Sequence, residues 1–167
     1  MDILDIYDKD GHKLNRTRLR GSPHWTKDEY SLAVDVWIKN EYEEILLTQR
    51  DPKKKYYPTK WECTCGIILT GEDSINGALR EVVEEIGIRL NKDEGKKISR
   101  IIRHNLNMIF DIFLFIKNID INEIRLQEGE VIDAKWVKKD ELRNMFINNE
   151  MVELLSYVGE LIDDGIM

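Results

Sequence analysis

Apolar and polar positions along this chain predict strands first, one amphipathic helix in the middle, more strands, and two helices at the end. Ile3, Leu4 and Ile6 mark a short strand, and the turn signal Asp8-Lys9-Asp10-Gly11 leads into a second that runs through Leu14. Residues 16–30 show no period and are expected to be irregular. The run SLAVDVWI at 31–38 predicts a core strand, which the turn at 40–43 joins to a strand over 44–50 as a hairpin. A proline-bounded basic loop, 51–60, precedes a strand over 61–69. Beyond the central helix, 89–97 reads as a loop, 98–105 and 108–116 as strands, and 127–137 contains one more. Lys139 or Asp140 opens a helix over 141–146. A last helix, 150–162, turns Val152, Leu155, Val158, Gly159 and Ile162 inward. This order predicts an α/β layer sandwich with a mixed sheet.

The central helix, 74–86, carries the densest chemistry. Ser74 is its expected cap and Gly87 its left-handed terminator. At about 100° per residue, Glu81, Glu84 and Glu85 share one face, with Ile75, Leu79, Val82, Val83 and Ile86 opposite. Such close carboxylates repel one another unless a cation neutralises them, so this is either a solvated acidic face or a metal site.

With 167 residues the chain is expected to form one domain, 1–167. A net charge of -7 argues against a nucleic-acid polymer or an anionic membrane as partner. Cys63 and Cys65 lie two apart on a predicted strand, where a bridge is disfavoured, and no stretch has the length of a membrane span. A cytoplasmic, soluble protein is expected. The segment holding Arg18, Arg20, His24 and Trp25 is either a phosphate or base pocket or a connecting loop. Arg50 and the lysines from Lys53 to Lys55 stand nearest the central stretch, and Arg50, Lys53, Lys55 and Trp25 are the candidate substrate-binding residues. Asp111 is the polar exception within an apolar strand.

Gly66, Glu72, Arg80-Glu81-Val82, Glu84-Glu85 and Gly87-Ile88 match every fixed position of the Nudix box, Gly-x5-Glu-x7-Arg-Glu-aliphatic-x-Glu-Glu-x-Gly-aliphatic, over residues 66–88. The chain therefore resembles the Nudix hydrolase family. The resemblance implies a Nudix-type α/β/α sandwich and Mg²⁺-dependent (or Mn²⁺-dependent) hydrolysis of a diphosphate linkage, usually in a nucleoside diphosphate derivative. It implies Glu81, Glu84 and Glu85 as metal ligands, the Gly66 carbonyl as a further one and Arg80 as the residue that orients the carboxylates; Glu72, just before the helix, reads as structural support that ties the loop to the helix start or accepts from Arg80. The general base stays open between Glu81, Glu84 and, outside the box, Glu130. A homodimer is compatible with the fold family, although no seam in the sequence shows one. Residues 3–137 also resemble the isopentenyl diphosphate isomerase branch of the family. That branch has a reactive Cys before the box Gly, matched by Cys65, but has metal-binding histidines where this chain has Ile67 and Ser31. Isomerisation, or a Nudix-fold binding module without catalysis, are the alternatives to hydrolysis.

Overall fold

The structure, a computed structural model, describes residues 2–23 and 25–167. Its centre is β3 (Ser31–Lys39), which pairs in parallel with β8 (Met108–Ile116), Ser31 lying opposite Met108. β7 (Gly95–Arg103) runs antiparallel on the far side of β8, with a bulge between Lys97 and Ser99. On the other side, β3 meets β4 (Glu44–Arg50) only at Lys39 and Ile45. The predicted hairpin is thus closed at its turn and forked beyond it. β5 (Trp61–Glu62) pairs with β4 and β6 (Thr64–Ile67) with β3, so the segment between them fills the fork and breaks at Cys63. A strand over 61–69 was expected in one piece; pairing with two diverging neighbours divides it. β9 (Val131–Lys138) completes this mixed sheet along β4.

Period-two alternation sends the strands' side chains to two cores. Leu32, Val34, Val36 and Ile38 of β3 join Leu46, Ile109, Phe113 and Phe115 beneath α1 (Ser74–Ile86). Trp37, Ile45, Leu47, Ile112 and Leu114 pack on the other face against α2 (Lys139–Ile147) and α3 (Val158–Asp163). Helices on both faces of one mixed sheet make the α/β/α sandwich. The last helix is shorter than the periodicity predicts: residues 153–155 form a 3₁₀ turn, and Leu161, not Ile162, is the buried member near its end.

The amino-terminal hairpin, β1 (Ile3–Tyr7) with β2 (Lys13–Leu19), forms a separate small sheet. β2 therefore extends into residues expected to be irregular; paired with β1 on an exposed ribbon, it has no apolar period to betray it. β7 likewise starts within the expected loop, its edge residues Lys96 and Lys97 being exposed. β1 braces the loop before α1: Thr70 N donates to Ile3 O (2.8 Å) and Gly71 N to Asp5 Oδ2 (3.1 Å).

Asp73, not Ser74, caps α1, accepting from Asn76 N at 2.8 Å with extended backbone at the cap. Gly87 ends the helix as expected, at φ 72°, donating to Val83 O. Asp73→Ala is expected to cost about 1 kcal/mol, and so lower the melting temperature by roughly 2–4 °C for a domain of this size. Thermal unfolding followed by circular dichroism checks this; Ser74→Ala should not reproduce the loss through the cap.

Candidate active site

α1 lays Ala78, Val82 and Ile86 on the sheet, and Glu85, three residues after Val82, falls on the same side. Glu85 is only 6% exposed, whereas Val83, expected inward, is 37% exposed. The acidic residues thus straddle the boundary of the packed face. They do not form one solvated stripe: the end of the helix overlies β6, and Glu85 is trapped between them. Thr64 hydrogen-bonds the Glu85 carboxyl, while Glu85 Oε2 has no partner. Burial, together with Glu62 and Glu81 nearby, pushes this carboxyl well above the usual range.

Gly66 explains how the helix comes so near the strand. A Cβ there would sit 1.9 Å from Glu81 Cδ, so only glycine admits the Glu81 carboxyl to this position. Burial raises the Glu81 pKa, with Glu84 adding to the effect and Arg80 opposing it. Arg80 organises the group as a fork: Nε and Nη2 donate to Glu72 (2.7 and 3.0 Å), Nη1 to Glu81 (2.7 Å) and Glu84 (3.0 Å), and Nη2 also to Ile67 O (2.9 Å). Glu72 in turn accepts from Leu69 N at 3.1 Å, tying the loop to the helix. Burial acts to raise the Glu72 pKa, but Arg80 and the Leu69 amide together hold it below the usual value.

Arg80, Glu81, Glu84 and Glu85 line a cavity of ≈ 310 Å³ together with Gly66, Arg50, Lys54, Glu130, Gln127, Arg20 and Asp2. Glu130 arrives because the chain before β9 docks on the end of α1: Arg125 N donates to Ile86 O and Gln127 N to Glu85 O, both at 2.9 Å. Asp51 N then donates to Glu130 O (2.9 Å), and Lys54 pairs with the Glu130 carboxylate. Arg50 is held by Glu62 (2.6 Å) and by Tyr56 O (3.1 Å).

Of the residues named from sequence, Gly66, Glu81, Glu84, Glu85, Arg80, Glu130, Arg50 and Arg20 therefore meet in one place. Glu72 stands behind Arg80. Lys53 and Lys55 are exposed outside the cavity lining, Lys55 lying over the Tyr56 ring (5.1 Å), and Trp25 stacks under Arg18 (5.0 Å). Lys54, between them in sequence, is the lysine that turns in. His24 lies outside the described residues. Asp111 is ion-paired with Arg100 at 2.6 Å. Gln127 and Asp2 had no signal in the sequence; both are placed by contacts with distant segments.

The donor set suits a hard divalent cation: carboxylate oxygens, a strand carbonyl without a side chain in the way, and a buried carboxylate oxygen without a partner. Two more buried acids lie beside it. Burial lifts Asp35 to about 6 against the hydrogen bond from Tyr157, and lifts Glu62 to about 7 against Arg50. Because both folded values exceed the unfolded ones, the folded state holds the extra protons, and stability falls as pH rises from about 4 to 8. The loss is on the order of 3 kcal/mol per group at most. Urea unfolding in EDTA at pH 5 and pH 8 should show it, and Asp35→Asn should flatten the slope.

A NUDIX domain model matches residues 29–157. An uncharacterized Nudix hydrolase of Listeria monocytogenes, lmo0368, is 30% identical over 155 residues, covering 91% of this chain and 89% of that protein. An isopentenyl-diphosphate Delta-isomerase of Corynebacterium diphtheriae is 28% identical over 93 residues, 55% of this chain and 50% of that one. Among solved structures, DR0079 of Deinococcus radiodurans superposes with a TM-score of 0.77 at 15% identity, covering 98% of both chains, a likeness of fold alone. Among the described residues no helix is long and apolar enough to cross a membrane.

Proposed function

The chain belongs to the Nudix family, and from that premise we propose that it is a Mg²⁺-dependent pyrophosphohydrolase acting on a small-molecule diphosphate. The observation that carries this reading is the shared cavity. Its lining brings Glu81, Glu84, Glu85 and the Gly66 strand together with the cationic Arg50 and Lys54. An anhydride needs both: oxygen ligands for a cation, and cations for its own oxygens.

Glu81, Glu84, Glu85 and the Gly66 carbonyl would hold Mg²⁺, which supplies neutralisation of phosphate charge and a lowered pKa for attacking water. Arg80 keeps Glu81 and Glu84 turned toward the cavity through its fork of hydrogen bonds. Arg50, anchored by Glu62 and the Tyr56 carbonyl, keeps its position as the substrate's charge enters. Glu81, Glu84 and Glu130, which all line the cavity, are the candidates to take the proton from water. Water oxygen bonds to one phosphorus and the bridging P–O–P bond breaks. The isomerase alternative has less support here: no imidazole stands at Ile67 or Ser31, where that branch has its metal-binding histidines.

The test is purified protein with Mg²⁺, against a panel of nucleoside diphosphate derivatives, sugar diphosphates and alkyl diphosphates, with every phosphorylated product followed by ³¹P NMR. Turnover that EDTA abolishes and Glu84→Gln cripples is expected. No turnover of any diphosphate, or full activity in Glu84→Gln, defeats the reading. Isopentenyl diphosphate in the same panel separates release of phosphate from formation of the dimethylallyl isomer.

A further inference from the structure

A second cavity of ≈ 450 Å³ shares Arg50 and Cys65 with the first. Its walls are Leu106, Met108, Phe110, Val152, Leu154 and Leu155, with Tyr56 and Tyr57 at the loop side. The volume is in the range of small-ligand pockets. Cys65 is the residue directly before Gly66 on β6, so the apolar space begins about one strand residue, roughly 3.3 Å, from the carbonyl assigned to the metal. A molecule with its diphosphate beside Gly66 and Arg50 has its organic half at this entrance.

The surface that this second space exposes is mainly apolar. Several of its polar groups are already engaged: Asp35 accepts from the Tyr157 hydroxyl (2.8 Å), Tyr57 donates to Glu153 (3.3 Å), and Arg103 donates to Leu154 O while lying over the Phe110 ring (5.6 Å). A nucleobase or sugar entering here would give up its hydrogen bonds to water against a mainly apolar surface, at a cost that an aliphatic chain does not meet. We infer that the organic half of the substrate is a hydrocarbon chain, so that the enzyme cleaves an alkyl or alkenyl diphosphate to the corresponding monophosphate and inorganic phosphate. Water oxygen ends on one phosphate, the P–O–P bridge is broken, the C–O bond is untouched, and one proton is released. This inference rests on the hydrolase reading above.

The experiment uses n-alkyl diphosphates from methyl to hexyl. With Mg²⁺, kcat/KM is expected to rise about fourfold per added methylene, the factor equivalent to burying one CH₂ at about 0.8 kcal/mol, and the hexyl compound should outrank nucleoside diphosphate sugars. Met108→Trp, which fills the cavity, should collapse the hexyl-to-methyl ratio. In EDTA, calorimetric binding of the same series to the natural protein should show a negative heat-capacity change that grows with chain length. Turnover indifferent to chain length, or a tenfold preference for nucleoside diphosphate sugars, overturns the inference and leaves the hydrolase reading standing. If no diphosphate is turned over, the hydrolase reading falls. The calorimetry then decides the cavity's ligand: chain-length-dependent binding supports a hydrocarbon site, and its absence removes it.

Discussion

Glu85→Gln is expected to lower Mg²⁺-dependent turnover by about 10²–10³-fold while making the metal-free protein more stable at pH 8. The two effects have one cause. The Glu85 carboxyl is buried against β6, one of its oxygens has no partner among the described residues, and its acidic neighbours oppose its ionisation. Its pKa is raised on folding, so the stabilisation that the proton confers is present at low pH and lost as pH rises. Gln keeps the shape and can still accept from Thr64, but carries no charge to desolvate. A gain of about 1–3 kcal/mol at pH 8 is expected, shrinking toward pH 4. With Mg²⁺ present the comparison reverses: the natural protein gains stability by mass action, and the variant gains much less. The loss of turnover is of the size seen when one preorganised charge-stabilising group is removed. Denaturant melts with and without Mg²⁺, together with initial rates, test both halves. A variant that is less stable without metal and fully active with it would sink the account.

Gly66→Ala should reduce turnover by about 100-fold or more and cost about 1–3 kcal/mol of stability, though the change adds one methyl group. The residue needs no special backbone angle; what it lacks is room, since its Cβ would fall within 1.9 Å of Glu81 Cδ and 2.2 Å of Glu81 Oε1. Either Glu81 leaves its bond with Arg80, or β6 moves away from α1. Coupling distinguishes crowding from other causes: in Gly66→Ala with Glu81→Ala the clash is gone, so stability should recover relative to the single Gly66 variant while turnover stays low. Gly159→Ala is the control. It sits in α3 with open space around its would-be Cβ, and is expected to be neutral or mildly stabilising. If Gly66→Ala behaves like Gly159→Ala, the close approach of helix and strand is not what sets Glu81 in place.

Much of this was legible in the chain. Helical periodicity alone orders Arg80, Glu81 and Glu84, and the resemblance to the box implies that Gly66 joins them. Glu130 was readable through resemblance, although what delivers it, the docking of Arg125 and Gln127 on the last carbonyls of α1, is tertiary. Glu85 shows where a face argument ends. Periodicity gives its direction from the helix axis but not where the sheet stops, and only the position of β6 decides that this carboxylate is enclosed. Lys54 was less legible than its neighbours, because three consecutive lysines in a loop have no period to tell which one turns in. The split at Cys63 was hidden because Trp61 to Ile67 is uniformly strand-like; the fork between β3 and β4 divides it.

The parallel seam between β3 and β8 bears on how the protein comes to be folded. Ser31 must find Met108 across nearly half the chain, and the loop closed by that encounter contains the entire box. Such non-local pairing is entropically costly before it is rewarded, so it belongs to the slow part of folding. During synthesis every carboxylate of the box leaves the ribosome before β8 and β9 exist to complete the sheet and bring Glu130 alongside. The nascent box is therefore an acidic segment with its apolar face uncovered, and it becomes a place for an anhydride only when the strands that follow it arrive.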